Sequence, residues 1–231
     1  MFALFGGILP PLLLAFLVVF LDTKIHNPQT LENISTIPML GVVGKNVLDN
    51  NLAVHRKPKS AVAEAFRAIR SSLQYMYKQH DINSTKTVMV TSSVSGEGKT
   101  FCSINIATVF ALSGKKTVLV GLDLRKPKIF GDFDIQNDIG AVNYLIGQKT
   151  LDEVIQNTKV NNLDVITSGP IPPNPSELLI SEKMDELMEQ LKTQYDYIIL
   201  DTPPVGLVAD ALELLEYADA SLYVVRQDYS K

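Results

Sequence analysis

Residues 85–102 read TKTVMVTSSVSGEGKTFC, a short apolar strand that runs directly into Ser-Gly-Glu-Gly-Lys-Thr. A chain builds a cradle for nucleotide phosphates in this way. Gly96 and Gly98 let the backbone curl so that successive N–H groups converge, Lys99 reaches toward the β and γ phosphates, and Thr100 offers a hydroxyl to Mg²⁺. The helix that opens here aims the positive end of its dipole at the same anion. Against the pattern G-x-x-x-x-G-K-[S/T], Ser93 stands where the first glycine is expected, so the strand-loop-helix context carries the assignment. Candidate phosphate contacts are Ser93, Ser95, Gly96, Glu97, Gly98, Lys99, Thr100 and Phe101, with backbone donors from Ser95 through Thr100 doing the holding. Taken alone, the loop also fits a plain Gly/Ser turn beside a solvated lysine.

A phosphate loop needs acids at the ends of neighbouring strands to hold the metal. The run KTVLVGLDLR at 116–125 reads as a buried strand ending in Asp123, and YDYIILDTPPV at 195–205 as another ending in Asp201. Continuous Val/Ile/Leu runs suit parallel strands covered on both faces. In such sheets ligands gather at the carboxyl ends of the strands, where Thr91, Asp123 and Asp201 all arrive. Asp201, after four apolar positions, reads as the acid that binds Mg²⁺ directly or through water, with Thr100 and Asp123 as the other candidate metal ligands. A strand-ending aspartate by itself fits a turn cap equally well.

Composition agrees. With 231 residues, 46% of them hydrophobic, the chain can bury one substantial α/β core plus a small appendage. The balance of 21 basic against 25 acidic residues leaves no nucleic-acid footprint. Cys102 is the single cysteine, so no disulfide forms within one chain, and it reads as a small buried residue in a reducing compartment. His26, His55 and His80 are too widely spaced for a zinc cluster and read as surface residues.

Phe2 to Leu21 is an uncharged apolar stretch of the length that crosses a bilayer as a helix, and it predicts a transmembrane span over 1–21, with a buried helix of a soluble domain as the other reading. No basic region or small-x-small cleavage site marks a signal peptide. The first basic residues, Lys24 then Lys45, Arg56, Lys57 and Lys59, follow the span and place the rest of the chain in the cytoplasm. Residues 22–58, rich in Asn, Pro, Thr and Gly, read as a linker with a short strand at Met39 to Val43. From 59 onward the pattern is that of a wound parallel sheet with helices on both faces. It opens with an amphipathic helix from Ser60 to His80, apolar at Val62, Phe66, Ile69, Leu73 and Met76. Further helices are predicted at 151–158, 175–193 and 207–217, and strands near 163–167, 195–200 and 220–225. Thr150 with Glu153, and Asn174 with Pro175 and Glu177, read as helix starts with capping boxes.

Taken together these segments resemble the bacterial tyrosine kinases of the polysaccharide co-polymerase family. The resemblance rests on SSVSGEGKT, VLVGLDLRKP, YIILDTPPV, SGPIPPNPSELL at 168–179 and EAFRAIR at 64–70. It implies an ATP- and Mg²⁺-dependent phosphotransferase of the bacterial inner membrane with a cytoplasmic kinase domain. Catalysis falls to Lys99, Asp123 and Asp201, with transfer to tyrosines on a neighbouring copy. Spacing alone makes Glu64, Arg67 and Arg70 a solvated salt-bridge ladder; the resemblance instead implies ring assembly of a homo-oligomer through them. It also implies partnership with the machinery of capsule and exopolysaccharide polymerisation and export, and with a tyrosine-protein phosphatase. A preceding transmembrane helix, a periplasmic domain and a tyrosine-rich tail belong to the family pattern, so this sequence reads as a piece cut at both ends, short of the last helix and strand.

One departure bears on mechanism. Where many members carry Asp-x-Asp, Gly121 takes the first acidic position and only Asp123 remains, so the base that removes the tyrosine proton is either Asp123 or dispensable. Two other functions fit the same motifs. One is a positioning-type P-loop ATPase with water as acceptor, although such proteins usually carry an extra lysine early in the loop, and none lies between Thr87 and Lys99. The other is a nucleotide-binding but inactive regulator of polysaccharide export.

Overall fold

The computed structural model describes residues 2–80, 82, 84–206 and 210–230; the side chains of 2–9, 18 and 210 lie outside the described set. The chain divides into two compact units, one of Met1–Pro38 with Arg226–Lys231 and one of Met39–Val225.

In the first unit, helix α1 covers Phe2–Leu21 and α2 covers Pro28–Ile34. Asn27 caps α2 by accepting from the Thr30 N–H at 2.8 Å, with Pro28 in the first turn, where its missing N–H costs nothing. The chain ends are tied by Ile25 N–H to the Ser230 carbonyl at 3.0 Å and Asp228 N–H to the Ile25 carbonyl at 2.9 Å. Among the described residues no helix is long and apolar enough to cross a membrane, so the membrane span rests on the sequence pattern.

The second unit holds α3 (Ala53–Arg56), α4 (Ala61–Gln79), β1 (Lys86–Ser92), α5 (Lys99–Ala111), β2 (Thr117–Gly121), α6 (Phe130–Phe133), α7 (Ala141–Leu145), α8 (Leu151–Val154), β3 (Gln156–Asn157), β4 (Leu163–Ile166), α9 (Pro175–Leu179), α10 (Glu182–Gln194), β5 (Tyr197–Asp201), α11 (Asp210–Glu213) and β6 (Ala220–Val224), with a 3₁₀ turn at Leu214–Tyr217. The strands form one sheet in the order β3-β4-β2-β5-β1-β6. All pairings are parallel except β3 with β4. Strand periodicity then divides the core into two. Val88, Val90, Leu119, Tyr197 and Ile199 face a cluster with Phe66 and Leu73 of α4 and Phe110 of α5. Met89, Val118, Val120, Ile198 and Leu200 face the opposite cluster with Leu187 and Leu191 of α10. Each such buried Leu, Ile or Phe contributes about 1.5–3 kcal/mol against exposure, which is why near-continuous apolar strands form the sheet centre.

Several sequence expectations change. The sheet is mixed, because the chain leaves α8 at Val154, four residues short of the predicted helix end, and turns back within five residues from β3 to β4. So short a connection can join only antiparallel strands. The helix expected at 175–193 is two, since Ser181 leaves helical geometry (φ −84°, ψ 152°) to cap α10. No strand forms at 39–43. The linker does not stay free to residue 58: Leu52, Ala53 and Val54 are buried, and the Val54 N–H donates to Asn105 Oδ1 at 2.9 Å. Residues 207–209 of the helix expected from 207 lie outside the described residues. Along α4, Phe66, Ile69 and Leu73 are buried as predicted, while Ala63 and Tyr77 replace Val62 and Met76 at the ends of the stripe. The box at Thr150 forms, with the Thr150 N–H and hydroxyl both donating to Glu153. Asn174 makes no side-chain cap, its amide donating instead to Glu177 at 2.6 Å.

Candidate nucleotide site

The connection from β1 to α5 is the phosphate loop. Gly96 (φ 94°) and Gly98 (φ 103°) sit in the left-handed region, where a side chain would be strained, and Gly98 is the residue from which α5 departs. The first intrahelical donor is Cys102, bonding the Gly98 carbonyl at 2.9 Å, so the Lys99, Thr100 and Phe101 N–H groups belong to the helix's open first turn. Phe101 lends only its backbone there, for its ring packs edge-on against Phe66 at 5.6 Å. Lys99 is buried to 6% exposure.

The loop's start is pinned from two sides. Val205 N–H donates to the Ser92 carbonyl at 2.9 Å and Gly206 N–H to the Ser93 carbonyl at 3.1 Å. A Cβ on Gly206 would lie 2.4 Å from that same oxygen, so only glycine permits the approach. Inside the loop, the Ser93 hydroxyl and the Val94 N–H both donate to the Glu97 carboxylate, at 2.9 and 2.8 Å.

Asp201 ends β5, whose two neighbours are β1 and β2, so its carboxylate reaches the sheet's carboxyl edge directly behind the loop. Thr100 Oγ1 donates to Asp201 Oδ2 at 2.9 Å and Ser103 Oγ lies 2.9 Å from Oδ1. Burial pushes the Asp201 carboxyl up to about 6, with the two hydroxyl bonds and the Lys99 cation pulling it down and Asp123 adding to the rise. A threonine hydroxyl that gives its hydrogen to Asp201 keeps its lone pairs for a cation. That all-oxygen set of Thr100, Asp201 and Asp123 fits Mg²⁺. Ser103 is a site residue that motif reading missed, although three positions after Thr100 it lies on the same helix face.

Asp123 lies two residues beyond β2 instead of ending it. Its N–H and that of Leu122 donate to the Asp201 carbonyl at 3.1 and 2.8 Å, which fixes the two acidic positions to one another. One Asp123 carboxylate oxygen accepts the Lys126 N–H at 3.0 Å, so it also caps its own turn. At 121 a Cβ would come within 3.0 Å of Ser168 Oγ and 3.1 Å of Ile129 Cδ1, so neighbouring side chains have closed over the place of the missing acid. Glu64, Arg67 and Arg70 lie elsewhere, on α4. Arg67 pairs with Glu64 and donates to the Pro58 carbonyl, whereas Arg70 Nη1 turns inward to the Val109 carbonyl at 3.1 Å.

A family profile described as an AAA domain matches residues 85–230. Over 160 residues the chain is 42% identical to CapB of Staphylococcus aureus, a provisional tyrosine-protein kinase, covering 69% of each sequence. It is 40% identical over 178 residues to the tyrosine-protein kinase YwqD of Bacillus subtilis, covering 77% of this chain and 74% of the relative. The chain belongs to the bacterial tyrosine-protein kinase family. Its structure superposes on the kinase domain of Escherichia coli tyrosine kinase ETK with a TM-score of 0.80 at 32% identity, covering 90% of this chain and 85% of that one. For this kinase-family chain the α/β architecture is therefore of the P-loop NTPase type, and that fold implies nucleotide binding.

Proposed function

We propose that the chain is an ATP- and Mg²⁺-dependent protein tyrosine kinase that transfers the γ-phosphoryl group to tyrosines on a neighbouring copy. The observation that carries this is the convergence of Lys99, Thr100, Asp123 and Asp201 at one edge of the sheet in a member of a tyrosine kinase family. The backbone from Ser95 to Thr100 cradles the phosphates and Lys99 faces the β and γ oxygens. Thr100 and Asp201 would hold Mg²⁺, which when bound neutralises charge shared between those oxygens. Asp123 orients the metal or takes the acceptor tyrosine's proton. The kinship with named tyrosine kinases disfavours the hydrolysis-only ATPase.

In this reading residues 1–21 anchor the chain in the bacterial plasma membrane, 22–58 lead into the cytoplasm and 59–231 form the kinase domain. Copies assemble into a ring through Glu64, Arg67 and Arg70, and the kinase regulates capsule or exopolysaccharide synthesis alongside the polymerisation and export machinery, opposed by a tyrosine-protein phosphatase. The test is incubation with labelled ATP and a tyrosine-rich peptide. Phosphotyrosine on the peptide supports the kinase, free phosphate alone marks an ATPase, and neither product marks an inactive regulator. Tyr77, Tyr144, Tyr195 and Tyr197 are buried and Tyr75, Tyr223 and Tyr229 exposed, so any self-labelling is expected at the latter three. Tyr223 faces out because β6 alternates half-buried and exposed positions.

For Asp123→Asn, a proton-accepting role predicts a fall in kcat of roughly a hundredfold or more with little change in ATP affinity. Equal losses in both, measured by steady-state kinetics and nucleotide titration, mark a metal ligand only. Replacing Glu64, Arg67 and Arg70 together with alanine is expected to yield monomers that still bind nucleotide. Sedimentation velocity showing an unchanged assembly state would refute the interface.

A further inference from the structure

We propose that Glu97 is the positioning residue of the phosphate loop: its side chain closes the loop on itself and holds the Ser95–Thr100 backbone in shape before nucleotide arrives. The inference rests on the nucleotide-site reading above and adds a role to a side chain which that reading uses only for its backbone. Glu97 is 4% exposed in a loop whose task is to receive an anion, where a buried carboxylate is unfavourable on two counts. Its hydrogen bonds supply the compensation. The carboxylate accepts the Val94 N–H at 2.8 Å on Oε2 and the Ser93 hydroxyl at 2.9 Å on Oε1 and 3.1 Å on Oε2. The bonds span from the fifth residue of the loop back to its first two, so they cross-link its opening to the turn around Gly96 and Gly98.

Ser93 gives this arrangement its sense. A glycine at that position has no hydroxyl to offer, so the departure at 93 and the acid at 97 form one device. Ser93 is fixed at both ends, its hydroxyl on Glu97 and its carbonyl on the Gly206 N–H at 3.1 Å. Glu97 is thereby referenced to the segment that follows Asp201, and the loop is registered against the metal-binding acid. A loop ordered in advance loses less backbone freedom when the triphosphate binds, so the gain appears as nucleotide affinity.

The test is equilibrium titration of the whole chain with a fluorescent ATP analogue in the presence of Mg²⁺, with the thermal midpoint of each nucleotide-free variant recorded in parallel. Glu97→Ala is expected to weaken binding about tenfold, the scale of a lost hydrogen bond to a charged group. Glu97→Gln restores affinity to within about twofold of the native chain, because its amide accepts from Val94 N–H and donates to Ser93 Oγ. Ser93→Ala weakens binding about threefold, and adding it to Glu97→Ala costs nothing further, since the two act through one bond. Unchanged affinity in Glu97→Ala or Ser93→Ala, with or without a lowered thermal midpoint, overturns the proposal, as does Glu97→Gln binding as weakly as Glu97→Ala. Should Glu97→Ala not fold, Ser93→Ala and Glu97→Gln decide the matter. A native chain that binds no analogue refutes the nucleotide site itself, a result distinct from any of these.

Discussion

Lys99→Met is expected to lower phosphotyrosine formation about a thousandfold while the protein stays folded, because it deletes the lysine cation proposed to face the triphosphate. Lys99 is buried at the first position of α5, and its stem lies where methionine's flexible chain fills similar space. The sheet core does not involve it, so the thermal midpoint of the nucleotide-free protein should move by only a few degrees. One secondary effect follows from the site's electrostatics. The Lys99 cation helps keep Asp201 ionised, so its loss lets that carboxyl rise further. Kinase assays on an added peptide, with circular dichroism as the control for folding, check both halves. Activity within tenfold of the native chain would remove Lys99 from the site.

Asp201→Asn should be comparably damaging to activity, with a loss of two to three orders of magnitude, roughly the scale of removing a metal ligand's charge from phosphoryl transfer. Its effect on stability is expected to have the opposite sign. The Asp201 carboxyl is fully enclosed and pushed up to about 6 chiefly by burial, so at neutral pH the folded protein carries an ionised group that would be better solvated in the unfolded chain. Between the ordinary carboxylate range near 4 and about 6, the folded state binds more protons than the unfolded one. Stability without metal therefore falls as pH rises through that window, by up to about 3 kcal/mol, and levels off above it. Asparagine carries no charge to bury, and the hydroxyls of Thr100 and Ser103 can turn to accept from its amide. At pH 8 with a chelator present, Asp201→Asn should melt no lower than the native chain. A variant that melts well below it there, or a native chain whose stability climbs from pH 4 to 6, contradicts this account of the site.

The opposed effects expected on activity and stability at Asp201 are those of a site that burial has placed under strain. They also explain how far motif reading could go. Lys99, Thr100 and Asp201 were legible as candidates because each belongs to a local pattern: a glycine-bounded loop, a helix start and the end of an apolar run. Ser103 was not, since its meaning comes from a carboxylate 98 residues away. Asp123 was legible as an acid near a strand end. Its dual attachment, backbone to the Asp201 carbonyl and side chain to Lys126, was not. The gap at 121 reads in the sequence as a missing acid, but the packing of Ser168 and Ile129 shows a position that has been filled by other elements.

By itself the sequence determined the α/β class, the phosphate loop and its helix, the apolar strands that form the sheet centre and the amphipathic face of α4. These depend on periodicity and on chemistry among near neighbours. Only the tertiary structure decided that β5 lies between β1 and β2, that β3 runs antiparallel, and that Leu52 to Val54 leave the apparent linker for the core. It alone turned Arg70 out of the ladder that spacing suggests and inward to the Val109 carbonyl, 39 residues away. Each of those outcomes is a choice among partners equally available to the local chain. It is settled by which buried polar group finds a hydrogen bond and which apolar surface finds cover once distant segments meet.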